Sequence, residues 1–233
     1  MSFDVGKNDH EKEAAARASL RFVQEGHVVG LGTGSTAAFF IKLLAERVKS
    51  GLRIRGIPTS ERSRQLALSL GIPLTTLDEC QDIAVTVDGA DEVDPQLRLI
   101  KGGGGALLRE KIVASATRQL VIVGDASKQV ARLGKFPLPV EVIKFAQELV
   151  AKKITALGAK VALRQGNDGK PFVTDEGSHI LDCHFGEIAD PDTLARQLSD
   201  MPGVVEHGLF IGMASVVLFA RGSEIVEVRK SSC

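Results

Sequence analysis

A run of four glycines, residues 102–105, separates Lys101 from a helical pattern that carries Glu110. Consecutive glycines are too flexible for the interior of a strand or a helix, so they predict a turn between the two. At such a turn the backbone N–H groups and the helix dipole favour an anion. A carboxylate can move a proton there, while amides and an ammonium hold a developing oxyanion. The alternative is a glycine-rich loop between two solvated charges.

A second candidate, GTGST at residues 32–36, has the composition of a phosphate-binding turn. Its glycines let the backbone approach a ligand, and its hydroxyls add donors at a helix start. No lysine follows where a Walker A loop requires one. The run also matches the dinucleotide fingerprint G-x-G-x-x-A, but Pro58, Thr59 and Ser60 occupy the next strand end, where that fingerprint needs an acid. A helix N-cap with a tight turn is the structural alternative.

Acidic residues make up a third candidate, DGADEVD at residues 88–94. Asp88 and Asp91 follow a buried-strand pattern and could bind sugar hydroxyls and relay protons between oxygens. A magnesium site and an Asx-type turn are the alternatives. Hydroxyl binding ranks first because Lys101 and Lys128 can neutralise the two acids without a metal.

The remaining polar residues near these motifs are predicted to have no catalytic role. We expect Glu92 and Asp94 to be turn and surface residues, and Cys183 to belong to the core. The histidines are scattered, and none has the spacing of a metal ligand. A G-x-S-x-G nucleophile elbow is absent from the sequence.

Each motif follows a short apolar run, and helical patterns separate these runs. The predicted strands are 27–31, 52–57, 83–87, 97–100 and 120–123, and the predicted helices are 9–24, 35–49, one ending near 70, and one ending near 116. Continuous apolar strands that alternate with helices predict an α/β fold whose parallel sheet is covered on both faces. Ligands bind at the carboxyl ends of strands in such sheets, so four polar strand ends predict one shared site.

The pattern changes after Gly134, where KFPLPVEVI is punctuated by prolines and receives no strand. Predicted helices at 144–157 and 190–201 then accompany predicted strands at 160–164, 171–174 and 179–184, with a hairpin turn at Asp168-Gly169. We therefore predict a small α+β domain at 134–206, inserted into a larger domain made of 1–133 and 207–233. The apolar strands of the tail should rejoin the first sheet.

The composition of the 233 residues narrows the function classes. Lys and Arg number 29, equal to the 29 Asp and Glu, so there is no basic footprint for nucleic acid or membrane. Three widely separated cysteines, Cys80, Cys183 and Cys233, argue against a disulfide framework and for a reducing compartment. The polar amino-terminal stretch has no apolar signal core, and no run could cross a bilayer. We expect a cytoplasmic protein.

Six motifs in this order, GTGSTA, DGADEVD, IKGGGGALLREKI, ASK, KFPLPVEV and GLFIGMA, closely resemble ribose-5-phosphate isomerase type A. The resemblance implies interconversion of ribose 5-phosphate and ribulose 5-phosphate in the non-oxidative pentose phosphate pathway, with no metal or other cofactor. It also implies a Rossmann-like catalytic domain, a small lid domain, and a homodimer or homotetramer. The implied partner is a small sugar phosphate, with no nucleic acid and no membrane.

The resemblance places the family's proton acceptor on Glu110. From the chemistry, Asp88 is our choice for ring opening and proton traffic, and Lys101 for stabilising the oxyanion. The substrate-binding positions that the resemblance implies are Thr33, Gly34, Ser35, Thr36, Asp88, Gly89, Ala90, Asp91, Lys101, Gly102, Gly103, Gly104, Lys128 and, in a less distinctive stretch, Lys12.

Two other function classes compete with an isomerase. A sugar-phosphate sensor of the same fold would bind the ligand without catalysis, and as a transcription regulator it would need a DNA-binding module for which this chain has no room. A nucleotide-dependent oxidoreductase is disfavoured by the missing acid at the second strand end.

Overall fold

The computed structural model describes residues 7–222 and 224–229. Its backbone divides into two units. The first comprises the described parts of Met1–Ala90 and Met213–Cys233 together with Arg109–Gln129, and the second comprises Asp91–Leu108 and Val130–Gly212. The domain boundaries at 133 and 207 remain a prediction.

The helices are α1 Lys7–Ser19, α2 Ser35–Lys49, α3 Glu61–Ser69, α4 Leu107–Ser115, α5 Gln147–Ala156 and α6 Pro191–Ser199. The strands are β1 Val28–Leu31, β2 Arg55–Pro58, β3 Ile83–Asp88, β4 Glu92–Val93, β5 Leu99–Ile100, β6 Thr117–Asp125, β7 Leu138–Val142, β8 Lys160–Leu163, β9 His179–His184, β10 Val204–His207, β11 Leu209–Phe210, β12 Ala214–Arg221 and β13 Glu224–Arg229. No described helix is long and apolar enough to pass through a membrane.

The first unit is built on a six-stranded sheet in the order β13-β12-β6-β3-β1-β2. All neighbouring strands are parallel except the hairpin of β12 and β13. Strand β1 consists of four buried residues, as expected for a strand covered on both faces. The α/β prediction is therefore confirmed. Strands β12 and β13 of the tail rejoin the first sheet as predicted, whereas β11, at the start of the tail, pairs with β5 in a separate sheet.

Helices cover both faces of this sheet. Alternate side chains of β1 divide between two cores because successive residues of a strand point to opposite faces. Val29 and Leu31 pack in the core that includes Phe40 and Leu44 of α2. Val28 packs on the other side, in the cluster that contains Val113 of α4. The sheet is consequently fixed between α2 and α4, the two helices that follow candidate motifs.

The second unit contains two antiparallel sheets. A four-stranded sheet has the order β10-β7-β9-β8, and a three-stranded sheet has the order β11-β5-β4. Helices α5 and α6 contribute buried residues, such as Val150 and Leu198, to the core of this unit. An inserted α+β region was predicted, and this class of structure is confirmed.

Strand β7 corrects the sequence analysis, which placed no strand in KFPLPVEVI. All five residues of β7 are buried, and the strand lies between β10 and β9. Pro139 has no N–H to donate, but its carbonyl still takes part in the sheet and accepts a hydrogen bond of 2.7 Å from the amide of Gly208. Conversely, the predicted strand 171–174 makes only isolated bridges, at Pro171 and Val173.

Glu92 and Asp94 also correct the sequence analysis, because neither carboxylate is at the surface. Glu92 is 3% exposed and accepts hydrogen bonds from the amides of Gly134 (2.7 Å) and Phe136 (2.6 Å). Asp94 is 2% exposed and accepts from the Arg98 amide at 2.9 Å, so it does shape a turn. Backbone donors compensate for the burial of both charges.

Candidate active site

The first unit brings four of the candidate strand ends to one edge of its sheet. Strands β1, β2, β3 and β6 are mutually parallel neighbours, so their carboxyl ends lie on the same side. The loops that follow them begin at Gly32, Thr59, Gly89 and Ala126. This is the edge at which open parallel sheets bind ligands.

A chain of hydroxyl groups ties the ends of β1 and β2 together. The Thr33 hydroxyl donates to Ser60 Oγ at 2.8 Å, Ser60 donates to Ser63 Oγ at 3.1 Å, and Ser63 donates to the Gly32 carbonyl at 2.7 Å. Thr59 Oγ1 lies 2.8 Å from Thr33 Oγ1. The Thr33 side chain therefore fixes the loop from within the protein, in addition to the ligand contact that the resemblance implies.

Asp88 anchors the same loop from the end of β3. The residue is 1% exposed, and its Oδ1 accepts hydrogen bonds from the amides of Thr33 (3.0 Å) and Gly89 (2.8 Å). A Cβ atom at Gly32 would lie 2.3 Å from the same oxygen. Any side chain at position 32 would collide with this carboxylate, so the close approach of Asp88 favours glycine as the first residue of GTGST.

The start of α2 presents backbone donors to an anion. Gly34 occupies the N-cap position with φ of 107°, a conformation that suits glycine. Glycine has no side chain to cap the helix, so the amides of the first turn remain directed at whatever lies beyond it. Gly34 and Ser35 are exposed, whereas Thr36 is 8% exposed. The loop thus has the features of a phosphate site at a helix N-terminus.

The other predicted site residues of the first unit differ in their burial and in their contacts. Glu110 lies in the first turn of α4 and is 5% exposed, so its carboxyl is not turned into bulk water. Lys128 ends a short 3-10 turn after β6. Lys12 is paired with Asp9 on α1, with Nζ 3.2 Å from Oδ1. Ala90 is half-buried in the loop after β3.

In the second unit, Asp91 is bonded to the glycine run. The Asp91 amide donates to the Ile100 carbonyl at 2.8 Å, and its Oδ2 accepts a hydrogen bond of 2.8 Å from the Gly103 amide. Lys101 is 2% exposed, with Nζ 5.4 Å from the centre of the Phe210 ring. A buried ammonium beside a flexible backbone suits a site where negative charge develops.

The amides of the glycine run divide into two groups. Lys101 donates to the Gly208 carbonyl at 2.9 Å, Gly103 donates to Asp91, and Gly105 donates to the Gly102 carbonyl at 3.0 Å. Within residues 7–222 and 224–229, the amides of Gly102 and Gly104 donate to no protein acceptor. These two amides are the backbone donors available for an oxyanion.

Some contacts of the site were not predicted. Ser63 completes the hydroxyl chain, and its amide donates to the side chain of Ser60, the N-cap residue of α3. A second serine three residues after an N-cap serine is a local signal that could have indicated Ser63. Arg164 donates to the carbonyls of Gly102 and Gly103, and no local pattern marks it. Among the described residues, no group of three or more His, Cys, Asp or Glu side chains could hold a metal ion.

Comparison with known proteins identifies the family. The model of the family described as ribose 5-phosphate isomerase A (phosphoriboisomerase A) matches residues 55–224. Ribose-5-phosphate isomerase A from Parvibaculum lavamentivorans is 52% identical over 227 residues, covering 94% of this chain and 98% of the relative. The protein of the same name from Nitrobacter hamburgensis is 53% identical, covering 94% of this chain and 97% of the relative.

Solved structures agree with the sequence relatives. A D-ribose-5-phosphate isomerase in complex with phospho-erythronic acid superposes with a TM-score of 0.93 at 40% identity, covering 95% of this chain and 99% of that one. Ribose 5-phosphate isomerase A from Neisseria gonorrhoeae gives a TM-score of 0.90 at 40% identity, covering 98% and 99%. By sequence, by fold and by the loops described above, the chain belongs to the ribose 5-phosphate isomerase A family.

Proposed function

We propose that this protein interconverts D-ribose 5-phosphate and D-ribulose 5-phosphate through an enediolate, in the non-oxidative pentose phosphate pathway. Aldose–ketose isomerisation needs one base that removes a proton from C2 and returns it to C1. The observation that carries the proposal is the position of Glu110. This carboxyl follows the glycine run on a rigid helix and is almost completely buried.

Glu110 is assigned the proton transfer. Removing the C2 proton of the aldose places negative charge on the C1 carbonyl oxygen. A proton then moves from O2 to O1, and protonation of C1 forms the C2 carbonyl group, so that the enediolate carries its charge on an oxygen until the product forms. The Lys101 ammonium and the amides of Gly102 and Gly104 are assigned to stabilise that oxygen. One carboxylate serves both half-reactions, because the proton that it takes is the proton that it gives back.

Asp88 is assigned to ring opening and to proton movement between the sugar oxygens. Its orientation is set by two backbone amides, so the carboxylate needs little rearrangement when substrate binds. Gly89, Ala90 and Asp91 continue the same loop and are assigned to the sugar hydroxyls. This assignment is supported by the burial of Asp88 and by the bond between Asp91 and Gly103.

The phosphate group is assigned to the loop at 33–36. The N-terminus of α2 offers amides and a favourable dipole, and the exposed Ser35 adds a hydroxyl. Lys128 and Lys12 are assigned as further substrate contacts. Binding the phosphate at the far end of the sugar converts binding energy into orientation of the reacting carbons.

Incubating the purified protein with ribose 5-phosphate and no cofactor tests the function directly. We expect ketose to form, with a rate unchanged by a chelator because no metal takes part in the assigned steps. Binding without turnover would instead favour a sensor, and a requirement for nicotinamide would favour an oxidoreductase.

Glu110→Gln tests the assigned base, because it keeps the shape of the side chain and removes the proton acceptor. We expect kcat to fall by roughly 10²–10⁴ while the affinity for phospho-erythronic acid, the ligand of a solved relative, stays close to that of the wild type. Glu46→Gln, an exposed glutamate on α2, is the matched control. Undiminished turnover in Glu110→Gln would remove this residue from the role.

We also propose that the protein is a homodimer or homotetramer and acts in the cytoplasm. Support for self-association comes from three exposed apolar side chains on the second unit, Ile143 (45%), Phe145 (99%) and Leu149 (55%). A soluble monomer rarely leaves such a group uncovered. Light scattering after size-exclusion chromatography measures the assembly, and cell fractionation measures the location.

A further inference from the structure

Arg164 holds the glycine run by its carbonyl groups. It directly follows β8, and its Nη1 donates to the carbonyl of Gly102 at 2.8 Å and to that of Gly103 at 3.2 Å. Both carbonyls belong to the segment whose amides are assigned to the oxyanion. The guanidinium is a charged donor, so these bonds are stronger than neutral ones.

Asp182 of β9 fixes the guanidinium in this position. Arg164 Nε lies 3.0 Å from Asp182 Oδ2, and Nη2 lies 2.5 Å from Oδ1, which is the two-pronged geometry of a strong arginine–carboxylate pair. Only 12% of the arginine side chain and 20% of the aspartate side chain are exposed. The Arg164 carbonyl also accepts from the amide of Phe172, and a Cβ at Gly105 would lie 2.4 Å from the Phe172 ring.

Because a peptide group is planar, holding its carbonyl oxygen also fixes the direction of its N–H. Every described peptide bond is trans, so the carbonyl and the following N–H point to opposite sides. In the peptide group that joins Gly102 to Gly103, Arg164 donates to the carbonyl oxygen and Asp91 accepts from the N–H. In the next peptide group, which joins Gly103 to Gly104, Arg164 donates to the Gly103 oxygen, and the Gly104 N–H therefore points away from the arginine.

We propose that Arg164, held by Asp182, is a positioning residue for the isomerase reaction: it orients the Gly104 amide toward the oxyanion of the enediolate. The inference rests on the proposed function and extends it to a residue that does not touch substrate. The competing explanation is that the Arg164–Asp182 pair only stabilises the antiparallel sheet of the second unit.

Steady-state kinetics of Arg164→Met separate the two explanations. Losing a single oxyanion donor lowers kcat by about 10²–10³, and a misdirected donor should cost about 10–100-fold. The KM for ribose 5-phosphate should change little, because the oxyanion exists only beyond the ground state. Arg132→Met is the matched control, since Arg132 is an arginine of the same unit that is 67% exposed and pairs with Glu187.

A pair of ligands gives a readout that a purely structural role would not move. Phospho-erythronic acid carries a carboxylate that resembles the charged enediolate, whereas ribitol 5-phosphate has neutral hydroxyls in its place. In Arg164→Met we expect affinity for the acid to fall by about tenfold or more, and affinity for ribitol 5-phosphate to fall by less than about twofold. Equal weakening of both ligands, or an unchanged kcat, would overturn the proposal.

Two further variants keep the test valid if Arg164→Met does not fold. Arg164→Lys keeps the charge but lacks the planar fork, so it cannot bind both glycine carbonyls and Asp182 together. Asp182→Asn leaves Arg164 in place but weakens the hold on its orientation. In both variants the affinity for phospho-erythronic acid should fall more than the affinity for ribitol 5-phosphate, and the loss should be smaller than in Arg164→Met. Failure of the wild type to isomerise ribose 5-phosphate would contradict the proposed function, whereas wild-type activity without these losses would contradict only the role of Arg164.

Discussion

Glu141 shows how a single buried carboxyl can make stability depend on pH. It lies in β7 with 1% exposure, and burial is the main cause that raises its pKa above the ordinary value. The nearby acids Asp175, Glu176 and Glu206 raise the pKa further, while the hydrogen bond of 2.7 Å from the Thr174 hydroxyl opposes the shift. The folded chain therefore holds this proton more tightly than the unfolded chain does.

The direction of the pH effect follows from that raised pKa. Proton binding by Glu141 contributes fully to stability below the pKa of the unfolded chain, and this contribution is lost as pH rises through the higher folded pKa. Glu141→Gln keeps an acceptor for Thr174 and carries no charge. We expect the melting temperature of the variant to rise relative to wild type as pH increases from about 4 to about 7. Glu148→Gln, an exposed glutamate on α5, is the control. A difference in melting temperature that does not vary with pH would contradict the argument.

Cys183 illustrates burial acting on a thiol. The side chain is 1% exposed in β9, and desolvation together with the adjacent Asp182 raises its pKa to about 12. At neutral pH only a very small fraction of this thiol is therefore present as the reactive thiolate. In a Cys80→Ser/Cys233→Ser background, a thiol reagent at about pH 8 should modify native Cys183 at least about a thousandfold more slowly than the unfolded protein. Comparable rates in the two states would contradict this; Cys233 itself lies outside the described residues.

At the scale of elements, the close approach of β1 and β3 governs the loop at 32–36. Gly32→Ala would place a Cβ 2.3 Å from Asp88 Oδ1 and 2.6 Å from Asp88 Cα, which is backbone and cannot move aside cheaply. We expect a loss of about 1–3 kcal/mol in the free energy of unfolding, measured by urea denaturation.

A matched alanine variant separates crowding from the general cost of replacing glycine. Gly89→Ala places its Cβ no closer than 4.0 Å to the Thr33 and Val123 carbonyl oxygens, so its stability should change little. Equal destabilisation by Gly32→Ala and Gly89→Ala would show that contact with Asp88 is not the cause.

Local patterns predicted most elements of the first unit. Helix α2 occupies residues 35–49 as predicted, because its apolar periodicity and the glycine before it are both local signals. Strand β7 was missed because its prolines suggested a break, while its burial depends on β9 and β10, which lie far along the chain. The hydrophobic partners of a strand, more than its own propensity, determined the outcome.

At the scale of the whole molecule, the candidate site was predicted in part. Asp88, Lys101 and Glu110 belong to recognisable motifs, and the structure shows that all three are buried. Their catalytic roles stay a prediction. Arg164 could not be predicted because it contacts a carbonyl 62 residues away, and carbonyls are present at every position of a chain. Side chains that act through backbone atoms leave little trace in sequence patterns.

The interleaving of the two units has a consequence for how the protein forms during synthesis. Strand β12 is the parallel neighbour that covers β6, so the central sheet keeps an unpaired margin until Ala214–Arg221 has left the ribosome. The buried carboxylate of Glu92 likewise has no hydrogen bonds from Gly134 and Phe136 until those residues, which follow β6 in the chain, have been synthesised. Neither unit can be finished from one continuous stretch of nascent chain. Maturation therefore waits for distant pairings, and it should be slow compared with that of a helical bundle of equal length.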